Sequence, residues 1–154
     1  MAGAGFWAIP SAKLVFRKDG RWYADAEPVT HERLARFFTR YLRRKPDGQG
    51  YEIWVDERFH MDVEVEDTPY VVTALLPGAD GTLQLQLNDE SVEPLDPATL
   101  SLAPDGAVVC LVKGGKERAR FLRSAQAELA PYVEEHEGEL CLRLGECHYR
   151  IEHG

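Results

Sequence analysis

The stretch YEIWVDERFHMDVEV, residues 51–65, decides the fold because apolar and polar residues alternate along it. Seven apolar residues take every second position within its two halves: Tyr51, Ile53, Val55, Phe59, Met61, Val63 and Val65. A period of two is typical of a strand with one buried face. The stretch therefore predicts two strands that are joined near residues 56–58.

Asp-Gly pairs mark the turns of further predicted strand pairs. Four such pairs occur in the chain, and Asp19-Gly20 and Asp80-Gly81 each separate two short apolar segments. Asp-Gly tolerates the positive φ angles that tight hairpin turns require. We therefore expect an antiparallel hairpin around each of these two pairs.

Two segments instead show the period of an α-helix. The first helix is predicted to begin after Thr30, a residue type that favours the N-cap, and the second is predicted to follow Gly114-Gly115. Their apolar residues recur three and four positions apart, which places them on one helical face. They are Leu34, Phe37, Phe38, Tyr41 and Leu42 in the first helix, and Phe121, Leu122, Ala125 and Leu129 in the second.

The same order of predicted elements occurs twice: a strand, a turn, a strand, a helix and two more strands. Matching landmarks lie at nearly constant separations, with Gly20 and Gly106 86 residues apart and Met61 and Tyr149 88 residues apart. Because these separations differ by only two residues, the pattern favours an internal duplication of the chain. We therefore predict an α+β fold of two similar halves, each with antiparallel strands and one amphipathic helix.

The join between the halves is predicted at Glu66-Asp67-Thr68-Pro69. Proline disfavours helix before it and removes a hydrogen-bond donor from a strand, so it suits a boundary between elements. The predicted subdomains are therefore residues 1–68 and 69–154, packed together as one unit.

Composition narrows the classes of function. The 154 residues carry a net charge of −8, which opposes general attraction to nucleic acid and to anionic lipid. No apolar run approaches the roughly 20 residues of a membrane-spanning helix, and no secretory signal is evident, so we expect a cytoplasmic chain. Cys110, Cys141 and Cys147 form no Cys-x-x-Cys pair, which indicates neither a disulfide framework nor a zinc site.

The most tempting catalytic or metal-binding set lies on the second strand of the opening stretch. His60, Asp62, Glu64 and Glu66 share one face of that strand. Alternate strand residues are about 6.6 Å apart, whereas a metal ion needs its donors within roughly 2.0–2.6 Å. This spacing, and the absence of the strong hydrolase and dinucleotide motifs, favour a solvated sheet face.

A first basic segment stands out in this acidic chain. Six cations lie on the first predicted helix, opposed only by Glu32: Arg33, Arg36, Arg40, Arg43, Arg44 and Lys45. Arg36, Arg40 and Arg43 would form a stripe that holds phosphate or carboxylate in forked hydrogen bonds. The alternative is a solvated outer face whose last cations suit the negative end of the helix dipole.

A second basic segment is Lys113-Gly114-Gly115-Lys116, followed by Arg118, Arg120 and Arg123. We interpret it as a junction between a strand and a helix, where exposed backbone N–H groups and nearby cations can cradle a phosphate. The full phosphate-loop motif is absent, and a plain flexible turn is the alternative.

Aromatic residues lie near predicted strand ends or beside the join, where they either pack the core or stack on a nucleobase. They are Trp22, Tyr23, Trp54 and Tyr70. Trp54 falls out of phase with its apolar neighbours Ile53 and Val55. It should therefore project from the opposite face of its strand.

Several of these segments together resemble the bacterial domain-of-unknown-function 1285 family, DUF1285. The resemblance covers about residues 13–152. It rests on Asp19-Gly20-Arg21-Trp22, Pro28-Val29, the first helix, Val65-Glu66-Asp67-Thr68-Pro69-Tyr70, Lys113-Gly114-Gly115 and Ala119-Arg120-Phe121-Leu122-Arg123. The stretch Val-Glu-Asp-x-Pro-Tyr is its most specific part. The turn Val55-Asp56-Glu57-Arg58 departs from the family pattern.

The resemblance implies a duplicated α+β core whose second half is similar to a pleckstrin-homology domain, with a ligand site between the halves. No enzymatic activity is established for that family, and a nucleotide-like ligand and a part in signalling have been proposed for it. The matching motifs assign seven residues to the site: Trp22, Glu66, Asp67, Pro69, Tyr70, Lys113 and Arg120. Glu66 and Asp67 would accept hydrogen bonds from ribose hydroxyls or ring amines, or cap the turn between the halves.

Three functions compete on these observations. The first is a non-catalytic module that binds a small anionic or nucleotide-like molecule and acts in signal transduction. The second is a protein-interaction module whose arginine stripe or sheet edge binds an acidic or extended peptide. The third is a metal-dependent hydrolase that uses His60 with Asp62 or Glu64. No cofactor is identifiable from the sequence.

Overall fold

The computed structural model describes residues 13–154 and divides the chain into two compact units. The first unit ends at Pro69, and the second runs from Tyr70 to Gly154. Within residues 13–154, each unit contains β-sheet and one α-helix. The predicted α+β class with two similar halves is therefore confirmed.

The part of the first unit that the structure describes, residues 13–69, is one six-stranded sheet with a helix packed on it. Its elements are β1 (Leu14–Phe16), β2 (Trp22–Ala24), β3 (Glu27–Pro28), α1 (Glu32–Tyr41), β4 (Leu42–Arg44), β5 (Tyr51–Trp54) and β6 (His60–Val65). The strands lie in the order β3-β2-β1-β6-β5-β4. Among these described strands, β1 and β6 run parallel and the other neighbours are antiparallel.

The alternating stretch forms the two strands that its period predicts. β5 and β6 pair antiparallel, with Ile53 opposite Met61 and Tyr51 opposite Val63. Ile53 is fully buried and Val63 nearly so. The hairpin predicted around Asp19-Gly20 is also present, because β1 and β2 pair antiparallel across it.

Three aromatic rings pack together in the core of the first unit. Trp22 is 2% exposed, and its ring lies 5.0 Å from that of Phe16 and 5.3 Å from that of Phe38, centroid to centroid. Its indole Nε1 donates a hydrogen bond of 2.9 Å to the hydroxyl of Thr39. The partner satisfies the one polar group that burial of a tryptophan removes from water.

Both ends of the first helix differ from the prediction. The N-cap is His31, not Thr30, and its Nδ1 accepts a hydrogen bond of 3.3 Å from the N–H of Leu34. The helix ends at Tyr41, because Leu42 is buried opposite Ile53 as the first residue of β4. Tertiary pairing therefore overrides the helical spacing of Leu42. Arg43 and Arg44 belong to a strand, so the predicted stripe that included Arg43 is wrong.

The second unit contains a seven-stranded sheet, a three-stranded sheet and a helix. Its first strands are β7 (Tyr70–Pro77), β8 (Leu83–Leu87), β9 (Val92–Pro94), β10 (Ser101–Leu102), β11 (Val108–Val112) and β12 (Glu117–Phe121). Then follow α2 (Arg123–Leu129), β13 (Val133–His136), β14 (Glu139–Leu144), β15 (Cys147–Arg150) and β16 (Glu152–His153). The large sheet has the order β16-β10-β11-β12-β7-β8-β9, and the small one has the order β13-β14-β15.

The second helix begins later than predicted. Residues 117–121 form β12, in which Ala119 and Phe121 are buried while Arg118 and Arg120 alternate with them. Phe121, Leu122 and Ala125 also have helical spacing, so this segment fits both patterns. It forms a strand because β12 pairs on both sides, with β11 and with β7. The helix therefore starts at Arg123.

The two units repeat one order of elements. In the first, a hairpin of β1 and β2 precedes α1, and the later strands β4, β5 and β6 end parallel to β1. In the second, β10 and β11 precede α2, and β13, β14 and β15 are followed by β16, which lies parallel to β10. The strands β7, β8 and β9 have no counterpart in the described part of the first unit.

Neither α-helix within residues 13–154 is long and apolar enough to cross a membrane. Cys110, Cys141 and Cys147 are all free thiols, and Cys147 is the exposed one. Burial and the nearby carboxylates Glu93 and Asp96 raise the pKa of the Cys110 thiol to about 12. Cys110 is therefore an unreactive thiol at neutral pH.

Candidate functional site

The basic segment around Lys113 is a hairpin turn between β11 and β12. Lys113, Gly114 and Gly115 all have positive φ angles, of 55°, 70° and 82°. The N–H of Gly115 donates to the carbonyl of Val112, and the N–H of Lys116 donates to that of Lys113. The predicted strand-to-helix junction is therefore wrong, and these two backbone N–H groups are used inside the turn.

The side chain of Lys113 is the centre of a half-buried polar cluster. Its Nζ lies 2.6 Å from Oδ2 of Asp89 and 3.0 Å from Oγ of Ser91. The same Nζ lies 5.0 Å from the centre of the Tyr70 ring, within the range of a cation–π contact. We call Tyr70, Asp89, Ser91, Glu93 and Lys113 the lysine cluster.

Glu93 joins the lysine cluster through the backbone. The N–H of Lys113 donates to its carboxylate, at 3.1 Å from one oxygen and 3.3 Å from the other. The N–H of Leu111 donates to the hydroxyl of Thr99 at 3.1 Å. The pairing of β10 with β11 covers only Val108 and Val109, so these side chains satisfy N–H groups beyond the end of β10. The segment from β9 to Thr99 thereby lies alongside β11.

The environment of the lysine cluster shifts two pKa values. Burial raises the pKa of Asp89, but hydrogen bonds from Lys113 and Ser91 outweigh it, and the net pKa lies below the ordinary value. Burial, with the carboxylates of Asp89, Glu117 and Glu93, raises the pKa of Tyr70 to about 12. At neutral pH the cluster therefore holds an ionised Asp89 and a neutral Tyr70.

Arg120 does not join the lysine cluster. In the parallel register of β12 and β7, Ala119 lies beside Tyr70 and Arg120 lies beside Val71. Neighbouring residues of a strand point to opposite faces, so Arg120 and the Tyr70 ring lie on opposite faces of the sheet. The guanidinium of Arg120 is paired with the carboxylate of Asp105.

The other predicted site residues belong to the first unit. Trp22 is a core residue, as described above. Glu66 is exposed, and its Oε1 accepts a hydrogen bond of 2.9 Å from the N–H of Lys18. Asp67 is half-buried, and Pro69 is buried at the end of the unit. Their contacts to a ligand stay a prediction.

The carboxylates beside His60 are paired with lysines of neighbouring segments. Asp62 lies 2.8 Å from Nζ of Lys45, and Glu64 lies 3.2 Å from Nζ of Lys13. Within residues 13–154, no group of three His, Cys, Asp or Glu side chains is placed to hold a metal ion. The geometry is that of an ion-paired sheet face.

Trp54 projects from the face of β5 opposite to Ile53, as its phase predicts. The guanidinium of Arg43 lies over its ring, 4.2 Å from the centre. Arg43 is also bonded to the carboxylate of Glu52, with its Nε 3.0 Å from Oε2. Arg43, which was predicted to lie on the helix with Arg36 and Arg40, therefore has its partners on the sheet.

Sequence reasoning missed three members of the lysine cluster: Asp89, Ser91 and Glu93. Asn88-Asp89-Glu90 is readable as a turn, and the structure has a turn there, closed by the N–H of Glu90 on the carbonyl of Leu87. Nothing in that local pattern points to Lys113, which is 24 residues away from Asp89 along the chain.

Comparison with known proteins links this fold to the family that the sequence resembles. No protein-family model matches the chain, and no curated protein matches it. A DUF1285 family protein from Silicibacter pomeroyi DSS-3 matches with a TM-score of 0.71 and 16% identity, over 91% of this chain and 79% of that one. A DUF1285 family protein from Shewanella baltica OS155 matches with a TM-score of 0.61 and 15% identity, over 79% of this chain and 93% of that one. The chain thus has the fold of DUF1285 family proteins, and the resemblance is confirmed at that level.

Proposed function

Taking the shared DUF1285 fold as the premise, we propose that this chain is a non-catalytic module that binds a small nucleotide-like molecule. The lysine cluster is the observation that supports the proposal. It combines an ammonium group, an aromatic ring and carboxylates in a half-buried position of the second unit. These are the group types that orient a small polar ligand.

The charges of the cluster favour a nucleotide-like ligand over a simple anion. The carboxylates of Asp89, Glu93 and Glu117 all act on the Tyr70 hydroxyl, whereas Lys113 is the cation at the centre. Inorganic phosphate would meet repulsion from these carboxylates. A nucleotide offers ring amines and sugar hydroxyls that donate to carboxylates, and it also offers a negative group for Lys113.

Each member of the cluster has a role in this proposal. The ammonium of Lys113 has three N–H donors, of which Asp89 and Ser91 accept two, so a phosphate oxygen of the ligand would take a third. The Tyr70 ring provides a face on which a base can stack. Asp89 and Glu93 accept from N–H or O–H groups of the ligand.

Binding without catalysis suits a part in signalling. A ligand that binds only the folded state stabilises it, and a ligand held by Lys113, Asp89 and Glu93 would add contacts between β11 and the segment that follows β8. The bound state would then differ from the free state at one edge of the large sheet. Such a difference is what a partner can recognise.

A thermal-shift assay tests the proposal with AMP, GMP, cyclic di-GMP and inorganic phosphate as probes. We expect at least one nucleotide to raise Tm by about 5 °C when present at roughly 100 times its Kd, and phosphate alone to leave Tm unchanged. Lys113→Met and Tyr70→Leu should remove the shift. Lys116→Met, which changes the next lysine in the same turn, should keep it.

Two outcomes would overturn the proposal. One is the absence of a saturable shift with every nucleotide. The other is an unchanged shift in Lys113→Met, after circular dichroism has shown that this variant is folded.

A further inference from the structure

The outer face of α1 is a basic surface on an acidic protein. Arg33, Arg36 and Arg40 are all exposed on a helix of ten residues. The opposite side of the helix is in the core, where Phe38 is fully buried against Trp22. The three arginines therefore form a surface that contributes nothing to the core. We call it the α1 arginine face.

The positions of these arginines follow one line along the helix. Residues three and four apart lie on the same side, so the Cα atoms of the three arginines are separated along the helix axis by rises of about 4.5 Å and 6 Å. Arg36 has a carboxylate nearby, because Oε2 of Glu32 lies 3.5 Å from its Nη2. Both side chains are largely exposed, so this pair contributes little and exchanges readily for another carboxylate.

Helix stability does not explain this arrangement. Arg40 lies in the last turn, where a cation suits the negative end of the helix dipole. Arg33 lies in the first turn, where the same dipole disfavours a cation. Arg33 therefore costs the helix some stability, and its side chain is exposed to solvent.

We infer that the α1 arginine face is a docking surface for an acidic helix of another protein. Glutamates spaced four and three residues apart on an antiparallel helix have rises of about 6 Å and 4.5 Å, which match the arginines in reverse order. Arginine binds carboxylate in a forked geometry, which gives direction as well as attraction. The α1 arginine face shares no residue with the lysine cluster, so the inference is independent of the proposed ligand.

Two other classes of partner fit the surface less well. Three arginines are few for nucleic acid, which proteins hold through about 6–10 phosphate contacts, and the net charge of −8 repels a long polyanion. A membrane surface would gain only about 1 kcal/mol from each cation. The apolar side of α1 is committed to the core and cannot insert into lipid.

Fluorescence anisotropy tests the inference with a labelled helical peptide of about 15 residues that carries glutamates at this spacing. We expect saturable binding at low salt that weakens steeply between about 20 and 500 mM NaCl. The same peptide with glutamine at these positions should not bind. The triple variant Arg33→Gln, Arg36→Gln, Arg40→Gln should lose binding by at least about tenfold, the order expected from losing several charged pairs.

The matched control is Lys116→Gln, Arg118→Gln, Arg123→Gln, which removes the same charge from exposed positions of the second unit. It should bind the peptide as the unmodified chain does. The inference is overturned if the glutamate peptide does not bind, if both triple variants lose binding equally, or if a single-stranded DNA oligomer binds α1 more tightly than the peptide at physiological salt.

Discussion

Three aromatic rings, those of Phe16, Trp22 and Phe38, pack together in the core of the first unit, whereas the buried side chains around α2 are mostly aliphatic. In the first unit Trp22 lies between Phe16 and Phe38, and in the second unit Ala125 and Leu129 of the helix join a cluster rich in valine and leucine. Both cores nevertheless support a hairpin, a helix and later strands that end parallel to the first strand. The order of elements therefore depends on which positions are apolar, and far less on which apolar side chain fills them.

The second difference between the units, within residues 13–154, is that the second unit has three additional strands. The strands β7, β8 and β9 occur in the second unit, and three members of the lysine cluster, Asp89, Ser91 and Glu93, lie in the β8–β9 turn or on β9. With Tyr70 on β7, four of the five members of the lysine cluster thus lie in the part of the second unit that is not repeated, and Lys113 lies in the repeated part. The repeated elements form the common fold of the two units, and the additional strands β7, β8 and β9, with the β8–β9 turn, provide most of the polar side chains of the lysine cluster.

The largest effect is expected from the aromatic core. Trp22→Ala should lower the free energy of unfolding by about 4 kcal/mol, because it removes a buried ring between Phe16 and Phe38 and leaves a cavity. Urea denaturation followed by circular dichroism measures it. Thr39→Val is the matched control for the indole hydrogen bond alone and should cost about 1–2 kcal/mol. If Trp22→Ala cost no more than Thr39→Val, the ring would not be the centre of this core.

A smaller effect separates a half-buried ion pair from an exposed one. Asp89→Asn in the lysine cluster should cost about 2 kcal/mol of unfolding free energy, because Lys113 loses a charged hydrogen-bond partner in a half-buried site. Glu64→Gln breaks the exposed pair with Lys13 in the first unit and should cost about 0.5 kcal/mol or less. Equal costs for the two variants would show that the lysine cluster is as well solvated as the sheet face.

Local patterns predicted the strands better than the helix ends. The alternation of residues 51–65 places β5 and β6 correctly, because one buried face dictates a period of two whatever the rest of the chain does. Leu42 and Phe121 satisfy helical and strand patterns at once, and their strand assignment depends on Ile53 and on β7, which lie far along the chain. The pattern within one segment does not show which distant strand that segment pairs with.

The candidate site was predictable only in part for the same reason. Tyr70 and Lys113 come from motifs that the sequence contains, and the structure brings their side chains within 5.0 Å, centroid to Nζ. Arg120 was assigned to the same site, but strand alternation turns it to the other face. Asp89 and Glu93 reach Lys113 because the segment that follows β8 runs beside β11, and no local pattern records that geometry.

Tyrosine titration distinguishes the phenol of Tyr70 in the second unit, whose pKa is raised chiefly by burial, from that of Tyr23 in the first unit, whose pKa is raised chiefly by its hydrogen bond to Asp19. The pKa of Tyr70 is raised to about 12 by burial and by neighbouring carboxylates, so its contribution to stability is complete below pH about 10 and is lost as pH rises through 12. A pH jump followed by absorbance at 295 nm should show a component with a midpoint near 12. Tyr70→Phe should remove this component, and Tyr23→Phe should retain it. A curve that Tyr70→Phe leaves unchanged at high pH would contradict the burial of this phenol.

The smallest effect concerns two histidines that the repeated order places at equivalent positions, His60 at the start of β6 and His148 near the start of β15. His60 lies opposite Trp54, whereas Nε2 of His148 lies 2.8 Å from Oε1 of Glu134. A hydrogen bond from His148, with added attraction from Arg143, lowers the pKa of Glu134. A carboxyl group with a lowered pKa stabilises the fold above its unfolded pKa, and this contribution disappears as pH falls through the folded value.

Glu134→Gln should therefore lower Tm slightly at pH 7, and the difference from the unmodified chain should shrink to nothing at about pH 3. Differential scanning calorimetry at both pH values measures it. Glu135→Gln removes the same charge from the other face of β13 and is the matched control, because it leaves the bond to His148 intact. If the two variants showed the same pH dependence, the effect would come from net charge. A pH dependence confined to Glu134→Gln would show that the second unit has acquired a specific acid-sensitive contact where the first unit has an aromatic neighbour.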